Sequence, residues 1–230
     1  MINESKTDVW KMFDQISKSY DRINRVLSFG QDVSWRKKVA KEMPLKPHLK
    51  VLDLATGTGD QLIALFKAGL SIQRAVGIDL SEEMLKIGRT KVASNPKIEL
   101  LHGDAQKLPF ADQTFDATTF SFGIRNVGDP LVSLKEIHRV LKPRGRCLIL
   151  EFSMPPAYIR PFFLFYLRKI LPRIGGLLSK NAAAYHYLNR TIESFPSGEA
   201  FLSLMKEAGF SSLKKIPMNF GGVTLYIGDK

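Results

Sequence analysis

Cysteine is almost absent from this sequence. Cys147 stands alone among 230 residues, which excludes a disulfide-stapled scaffold and fits a reducing cytosol. Long apolar runs are missing too. The longest, Pro161 to Leu167, is stopped by Arg168 and Lys169, well short of the roughly 18 residues a spanning helix needs. The first six residues, Met1 to Lys6, hold no apolar stretch, so no secretory signal is expected. Acidic residues are scarce: 22 Asp and Glu face 34 Lys and Arg, for a net charge of +12. Repeats and low-complexity linkers are lacking, and the four histidines and single cysteine show no metal-ligand spacing, so no metal is expected.

A composition of 44% hydrophobic and 24% charged residues excludes wholesale disorder, and the length suits one α/β domain. The positive charge sits on the flanks. Residues 1–50 carry 11 basic and 6 acidic residues, residues 51–150 carry 13 and 11, and residues 151–230 carry 10 and 5. Basic flanks around a near-neutral middle suit nucleic acid, an anionic membrane or an acidic substrate, or are simply a solvated surface.

Apolar spacing predicts helices over residues 8–43, ended by Pro44 and Pro47. Strands follow at 51–54, 75–79, 98–101, 115–120 and 146–152, alternating with helices at 60–68, from Ser81, and at 130–141. Strand and helix alternating in this way predict a mostly parallel, doubly wound α/β sheet. Residues 153–195 break the rhythm and read as an insertion. A helix at 197–208 and strands near 211–217 and 222–228 complete seven strands. The expected organisation is a helical cap (1–48), a ligand-binding core (49–152), a helical lid (153–196) and a C-terminal helix with two strands (197–230).

The first strand runs into Asp53-Leu54-Ala55-Thr56-Gly57-Thr58-Gly59-Asp60. A strand, a glycine turn and a helix N-terminus aim backbone N–H groups at a ligand, and Gly57 and Gly59 let that backbone come close. The turn alone is equally an ordinary strand-to-helix connection. A dinucleotide fingerprint wants a third glycine where Leu62 stands, and the Gly-Lys-Ser/Thr of a P-loop is absent. That leaves a nucleoside without a phosphate chain. Asp79 ends the second strand about 20 residues on, where a carboxylate accepts both ribose hydroxyls. Asp104 and Ala105 follow the third strand, where an adenine edge is read. Ser121 lies at the C-terminal end of the fourth, where open α/β sheets bind ligands.

Val51 to Gly59, Gly77-Ile78-Asp79-Leu80-Ser81 and Gly103-Asp104-Ala105 resemble the class I S-adenosylmethionine-dependent methyltransferases, with Ala55 in place of their usual first glycine. Two further segments resemble the ubiquinone/menaquinone-biosynthesis C-methyltransferases: Tyr20 to Gly30 with Trp35-Arg36, and Ser121 to Val127 followed by Arg139 to Pro143 and Leu150 to Ser153. Tyr185 to Leu188, Phe195-Pro196 and Ala208 to Phe210 continue the likeness, which covers about residues 9–228; Arg144 stands where a glycine is usual.

The resemblance implies a Rossmann-like fold, S-adenosylmethionine as cofactor, and contacts at Thr58, Asp79, Asp104, Ala105 and Ser121. The implied substrate is a prenylated quinol methylated on a ring carbon, demethylmenaquinol first and a benzoquinol of the ubiquinone pathway as the alternative. A phenolate makes its ortho and para carbons nucleophilic, so the protein must favour loss of a proton whose free pKa is about 10. Arg125 is the lead catalytic candidate, a guanidinium beside a ring oxygen, with an ion pair of purely structural role as the plain alternative. Asn126 is placed on the other ring oxygen and Tyr20 over cofactor or quinol. His186 in the insertion could reach the ring, but no histidine falls on a matched motif position.

Two other functions are open: a nucleic-acid methyltransferase, and a binding protein that holds the nucleoside without catalysis. No Asn/Asp-Pro-Pro-Tyr/Phe segment follows the fourth strand, and Cys147 sits inside the fifth, so no nucleic-acid substrate is expected. The expected setting is cytoplasmic, peripheral at the inner face of a membrane, with a homo-oligomer open. Residues 158–178 are expected either to lie on lipid or to pack inward as a lid.

Overall fold

A computed structural model describes residues 9–173 and 182–230. Its seven-stranded sheet has the order β3-β2-β1-β4-β5-β7-β6. The strands are β1 (Leu49–Leu54), β2 (Ile72–Asp79), β3 (Ile98–His102), β4 (Phe115–Ser121), β5 (Leu141–Phe152), β6 (Ser211–Met218) and β7 (Val223–Asp229). β1 to β5 pair in parallel, while β7 runs antiparallel to both β5 and β6. This is the mostly parallel, doubly wound sheet expected from the strand-helix rhythm.

Helices α1 (Val9–Leu27) and α2 (Gln31–Lys41) precede the sheet. Helices α3 (Asp60–Lys67), α4 (Glu82–Val92) and α5 (Pro130–Val140) connect its parallel strands. Ser81 caps α4 as expected, accepting from the Met84 amide at 3.2 Å. Asp129 caps α5, with Pro130 in its first turn. The helices cover two faces. One core gathers Leu52, Ile78, Phe120, Ile137, Ile149 and Tyr226; the other gathers Val51, Leu62, Leu85, Ala117, Leu148 and Leu225. Neighbouring residues of one strand thus enter opposite cores, which is why β1 and β4 are buried along nearly their whole length.

β5 begins at Leu141, five residues earlier than its apolar run suggests. Its register against β4 shifts between Phe115 and Ala117, bulging over Lys142 to Gly145. Pro143 has no N–H to give the ladder, so the strand steps around it. Ala55 and Arg144, which replace the usual glycines, both hold left-handed backbone, with φ of 46° and 63°. The turns keep the glycine conformation without the glycine.

The insertion comprises α6 (Arg160–Phe165), a π-helical turn (Tyr166–Ile170) and α7 (Ala182–Ser194), followed by α8 (Glu199–Glu207). With α1 it forms a third core around Val9, Met12, Ile16, Leu167, Leu171 and Ile192. Within residues 158–173, Leu167 and Leu171 are buried, whereas Tyr158, Phe162 and Phe165 are exposed. Leu177 and Leu178 lie outside the described residues.

The strand order reverses between β1 and β4, and at such a switch point the crevice opens at the C-terminal ends of the strands. α1 closes over this end. Its Asp14 accepts from the Ser81 hydroxyl at 2.5 Å and the Glu83 amide at 3.3 Å, and its Asp21 accepts from the Thr58 hydroxyl at 2.7 Å.

Candidate functional site

Two cavities of about 260 Å³ each lie beneath α1 and share Phe13, Tyr20 and Phe122. The polar one sits on the strand ends. Asp79, Asp104, Ala105, Ser121, Asn126 and Gly57 line it. Asp79 receives the Gly57 amide on one oxygen and the Ser81 amide on the other, each at 2.8 Å. Burial lifts its pKa above the ordinary carboxylate value, while these amides and that of Leu80 pull the other way. A carboxylate has about four acceptor sites, so Asp79 retains capacity for two hydroxyls. Gly57 and Gly59 hold φ of 54° and 80°, which turns the backbone so tightly after β1.

Asp104 accepts from the Gln106 amide at 2.8 Å, in a turn that contains buried Ala105. Ser121 donates to the Gln61 side chain at 3.1 Å. Asn126 keeps its Oδ1 buried without a hydrogen-bond partner. Thr58 and Gly59 line neither cavity. The Thr58 hydroxyl is held between Asp21 and Lys91 at 2.7 and 3.0 Å, anchoring α1 and α4 to the turn.

Asp53, at the end of β1, is buried between the Thr56 and Thr119 hydroxyls, which donate to it at 2.7 and 2.6 Å. Burial pushes its pKa up to about 6, with the two hydroxyls and Arg36 opposing. A raised folded-state pKa contributes stability below the unfolded value near 4, and that contribution is lost as pH rises through about 6. About two pH units correspond to roughly 3 kcal/mol at most. Thermal unfolding at pH 4.5 and pH 8 should therefore show Asp53→Asn gaining on the wild type toward pH 8. An unchanged difference would mean that Asp53 is not the strained group.

The second cavity is apolar, walled by Met12, Ile16, Trp35, Phe152, Tyr166 and Leu171. Phe122 stacks on Phe152 with centroids 4.8 Å apart and lies 5.6 Å from Trp35. Its φ of 58° is strained for an aromatic residue and stands where the two cavities meet. Gly123 permits this: a Cβ there would lie 2.5 Å from that of Ala55 and 2.6 Å from the Phe120 ring.

Arg125 enters the apolar cavity from a 3₁₀ turn, Ile124–Asn126. Its Nη1 donates to Glu151 at 2.8 Å and to the Phe122 carbonyl at 2.5 Å, and its guanidinium lies 5.3 Å from the Phe152 ring centre. Its Nε is buried with no partner. Glu151 is fully buried and also accepts from the Phe152 amide at 2.7 Å; burial raises its pKa and Arg125 opposes the rise. Arg125 thus combines a tight buried ion pair with an Nε left unpaired. Glu151 carried no signal of this in the sequence beyond its place in a matched segment.

Tyr20 is common to both cavities, and Asn126 falls in the polar one with Asp104 and Ala105. Burial holds the Tyr20 phenol above its ordinary pKa, although Asn24, Arg125 and Arg36 work against this, so at neutral pH it is a hydrogen-bond donor. Cys147 is buried and its thiol is pushed up to about 12, as unreactive as its place in β5 implies. His186 is exposed and lines neither cavity.

The sequence matches the model of the ubiE/COQ5 methyltransferase family over residues 1–230. It is 40% identical over 227 residues to demethylmenaquinone methyltransferase of Staphylococcus aureus (strain MRSA252), covering 98% of this chain and 94% of that protein. Among solved structures, a SAM-dependent methyltransferase from Thermotoga maritima superimposes with a TM-score of 0.68 at 21% identity, covering 96% of this chain and 99% of that one. The cyclase SpnF does so with a TM-score of 0.68 at 16% identity, covering 98% and 96%. At such identities the structural likeness speaks to the fold alone.

Proposed function

The chain belongs to the ubiE/COQ5 methyltransferase family, and from that premise we propose that it transfers the methyl group of S-adenosylmethionine to a ring carbon of a prenylated quinol, converting demethylmenaquinol to menaquinol. The observation that carries this is the pair of cavities, one polar and one apolar, adjoining at Phe13, Tyr20 and Phe122. A nucleoside fits the first: Asp79 faces it with acceptor capacity, Asn126 Oδ1 lacks a partner, and the Gly57 turn brings backbone close. Bound there, S-adenosylmethionine supplies an electrophilic methyl group on its sulfonium.

The chain's own residues do the rest. Asp79 would take the ribose hydroxyls, and Asp104, Ala105 and Ser121, which line the same cavity, would hold the rest of the nucleoside. Phe122, Trp35 and Phe152 would hold the ring beside the bound cofactor, so that its carbon could accept the methyl as the sulfur–methyl bond breaks, the ring carbon's own proton then leaving to water. The Arg125 guanidinium stands at a ring oxygen and stabilises the phenolate, which makes the neighbouring carbon nucleophilic. Glu151 keeps that guanidinium aimed. Tyr20 donates from the junction.

The test is methyl transfer from labelled S-adenosylmethionine to short-chain demethylmenaquinol, against a benzoquinol and RNA. Transfer to the naphthoquinol is expected; transfer to RNA alone would overturn the reading.

The substrate's tail calls for a membrane surface. Among the described residues, no helix is long and apolar enough to cross a membrane. Exposed aromatics gather instead from three segments: Phe29 after α1, Tyr158, Phe162 and Phe165 in the insertion, and Phe220 between β6 and β7. Phe29 lies 6.5 Å from Tyr166, and neighbouring Asn219 bonds Trp35 and Gln31 at the apolar cavity. Phe29 and Phe220 hold strained φ of 52° and 56°. Phe163, by contrast, packs over Gly222. Replacing Phe29, Phe162, Phe165 and Phe220 by Ser should abolish most flotation with anionic liposomes at low salt and leave cofactor affinity within twofold. Unchanged flotation would remove this surface from the proposal.

A further inference from the structure

The apolar cavity contains a second guanidinium that the mechanism above leaves unused. Arg36 lies on α2, and its Nη1 donates to the Asp32 carboxylate at 3.1 Å and the Asp32 carbonyl at 3.3 Å. Its Nε is buried with no hydrogen-bond partner, as is the Nε of Arg125, and both residues line this cavity. Buried donors are nearly always satisfied, because leaving one open sacrifices its hydration for nothing. Two guanidinium groups, each charge-paired on one side and each with an Nε left unpaired, thus wall one aromatic-lined cavity, where a ligand's acceptors meet them.

Tyr20 reports on the field between them. Its phenol is drawn toward ionisation by both Arg125 and Arg36, against the burial that holds it neutral. Asp32 from α2 and Asp53 from β1 face Arg36, Glu151 from β5 faces Arg125, Asp79 from β2 acts on Tyr20, and Arg25 shares Asp32 at 3.1 Å. A quinol hydroxyl beside Tyr20 meets the same two cations. A 1,4-quinol carries its oxygens on opposite edges of the ring, and the two arginines come from different elements, α2 and the turn after β4.

We propose that Arg36 is a substrate-binding residue, its guanidinium donating to one ring oxygen of the quinol while Arg125 serves the other. This rests on the quinol reading and adds a specificity to it. The cavity selects a ring with two para oxygens over a simple phenol, because a missing oxygen leaves a buried guanidinium N–H open. Asn126 lines the polar cavity and not the apolar one, so it does not compete for this role.

The experiment compares kcat/KM for a short-chain prenylated 1,4-naphthoquinol with that for the two prenylated naphthols lacking one hydroxyl each. The wild type should favour the quinol at least tenfold over both. Arg36→Gln should erase the preference over one naphthol, bringing the pair within threefold, and keep the preference over the other, with cofactor affinity within twofold of wild type. An arginine that only braces Asp32 would lower all three substrates alike, and an unchanged preference would overturn the proposal. Arg36→Lys retains the charge beside Asp32 and gives the same readout if the glutamine variant does not fold; its preference should fall between the two. If the wild type methylates neither quinol nor naphthol, the quinol reading itself fails, and this proposal with it.

Discussion

Arg125→Ala will lose both turnover and stability, and adding Glu151→Gln will restore the stability without the turnover. The single substitution strands the fully buried Glu151 carboxylate, whose partner stood 2.8 Å away. Breaking one side of a buried pair costs about 3–5 kcal/mol, a large part of the total stability of a domain. Glu151 can answer only by taking a proton. Burial already raises its pKa, and without the Arg125 side chain only the backbone amides of residues 125 and 152 oppose the rise. A raised pKa places its stabilising contribution at low pH, so the deficit of Arg125→Ala narrows as pH falls and widens as it rises. The double variant carries a neutral amide and lacks that dependence. Turnover behaves differently. Removing a preorganised donor at a developing negative oxygen lowers kcat by roughly 10²–10³, whatever stands at position 151. Arg125→Lys, which keeps charge but not the planar fork, remains impaired. Thermal unfolding across pH, beside methyl transfer to demethylmenaquinol, separates the two roles. A double variant turning over at the wild-type rate would show that Arg125 serves the fold alone.

Asp79→Ala will weaken S-adenosylmethionine binding by roughly 10²–10⁴, measured by calorimetric titration. Two charge-assisted bonds to ribose hydroxyls are lost, at about 1.5–3 kcal/mol each. The structure adds a second expectation. Both oxygens of Asp79 already receive backbone amides, from Gly57 and Ser81. In Asp79→Asn, one of those amides faces an NH₂ group, donor against donor, so asparagine is nearly as damaging as alanine despite its matching shape. The raised pKa of Asp79 sets the pH dependence: affinity is full above it and falls as pH drops through it. Equal affinities for wild type and Asp79→Ala would remove Asp79 from the cofactor site.

What the sequence determined by itself was local. The alternation of β1 through β5 with α3 to α5, the glycine turn after Leu54, the Ser81 cap and the placement of Asp79 at a strand end each rest on periodicity or turn chemistry within a few residues. Those signals sufficed for the sheet and for one wall of the polar cavity. The other walls come from distant chain. Asp14 reaches Ser81 across 67 positions and Asp21 reaches Thr58 across 37, so α1 becomes a cover only once the sheet has formed beneath it. Glu151 meets Arg125 because β4 and β5 are parallel neighbours, and Arg36 joins them because α2 packs against the face of the sheet that holds Val51 and Leu148. The assignment of Asn126 to the polar cavity and Arg125 to the apolar one turns on a three-residue 3₁₀ turn, where adjacent side chains diverge. Residue type can mark an arginine as a candidate; whether its N–H is left open in a dry cavity depends on every element around it, and only the packed structure decides that.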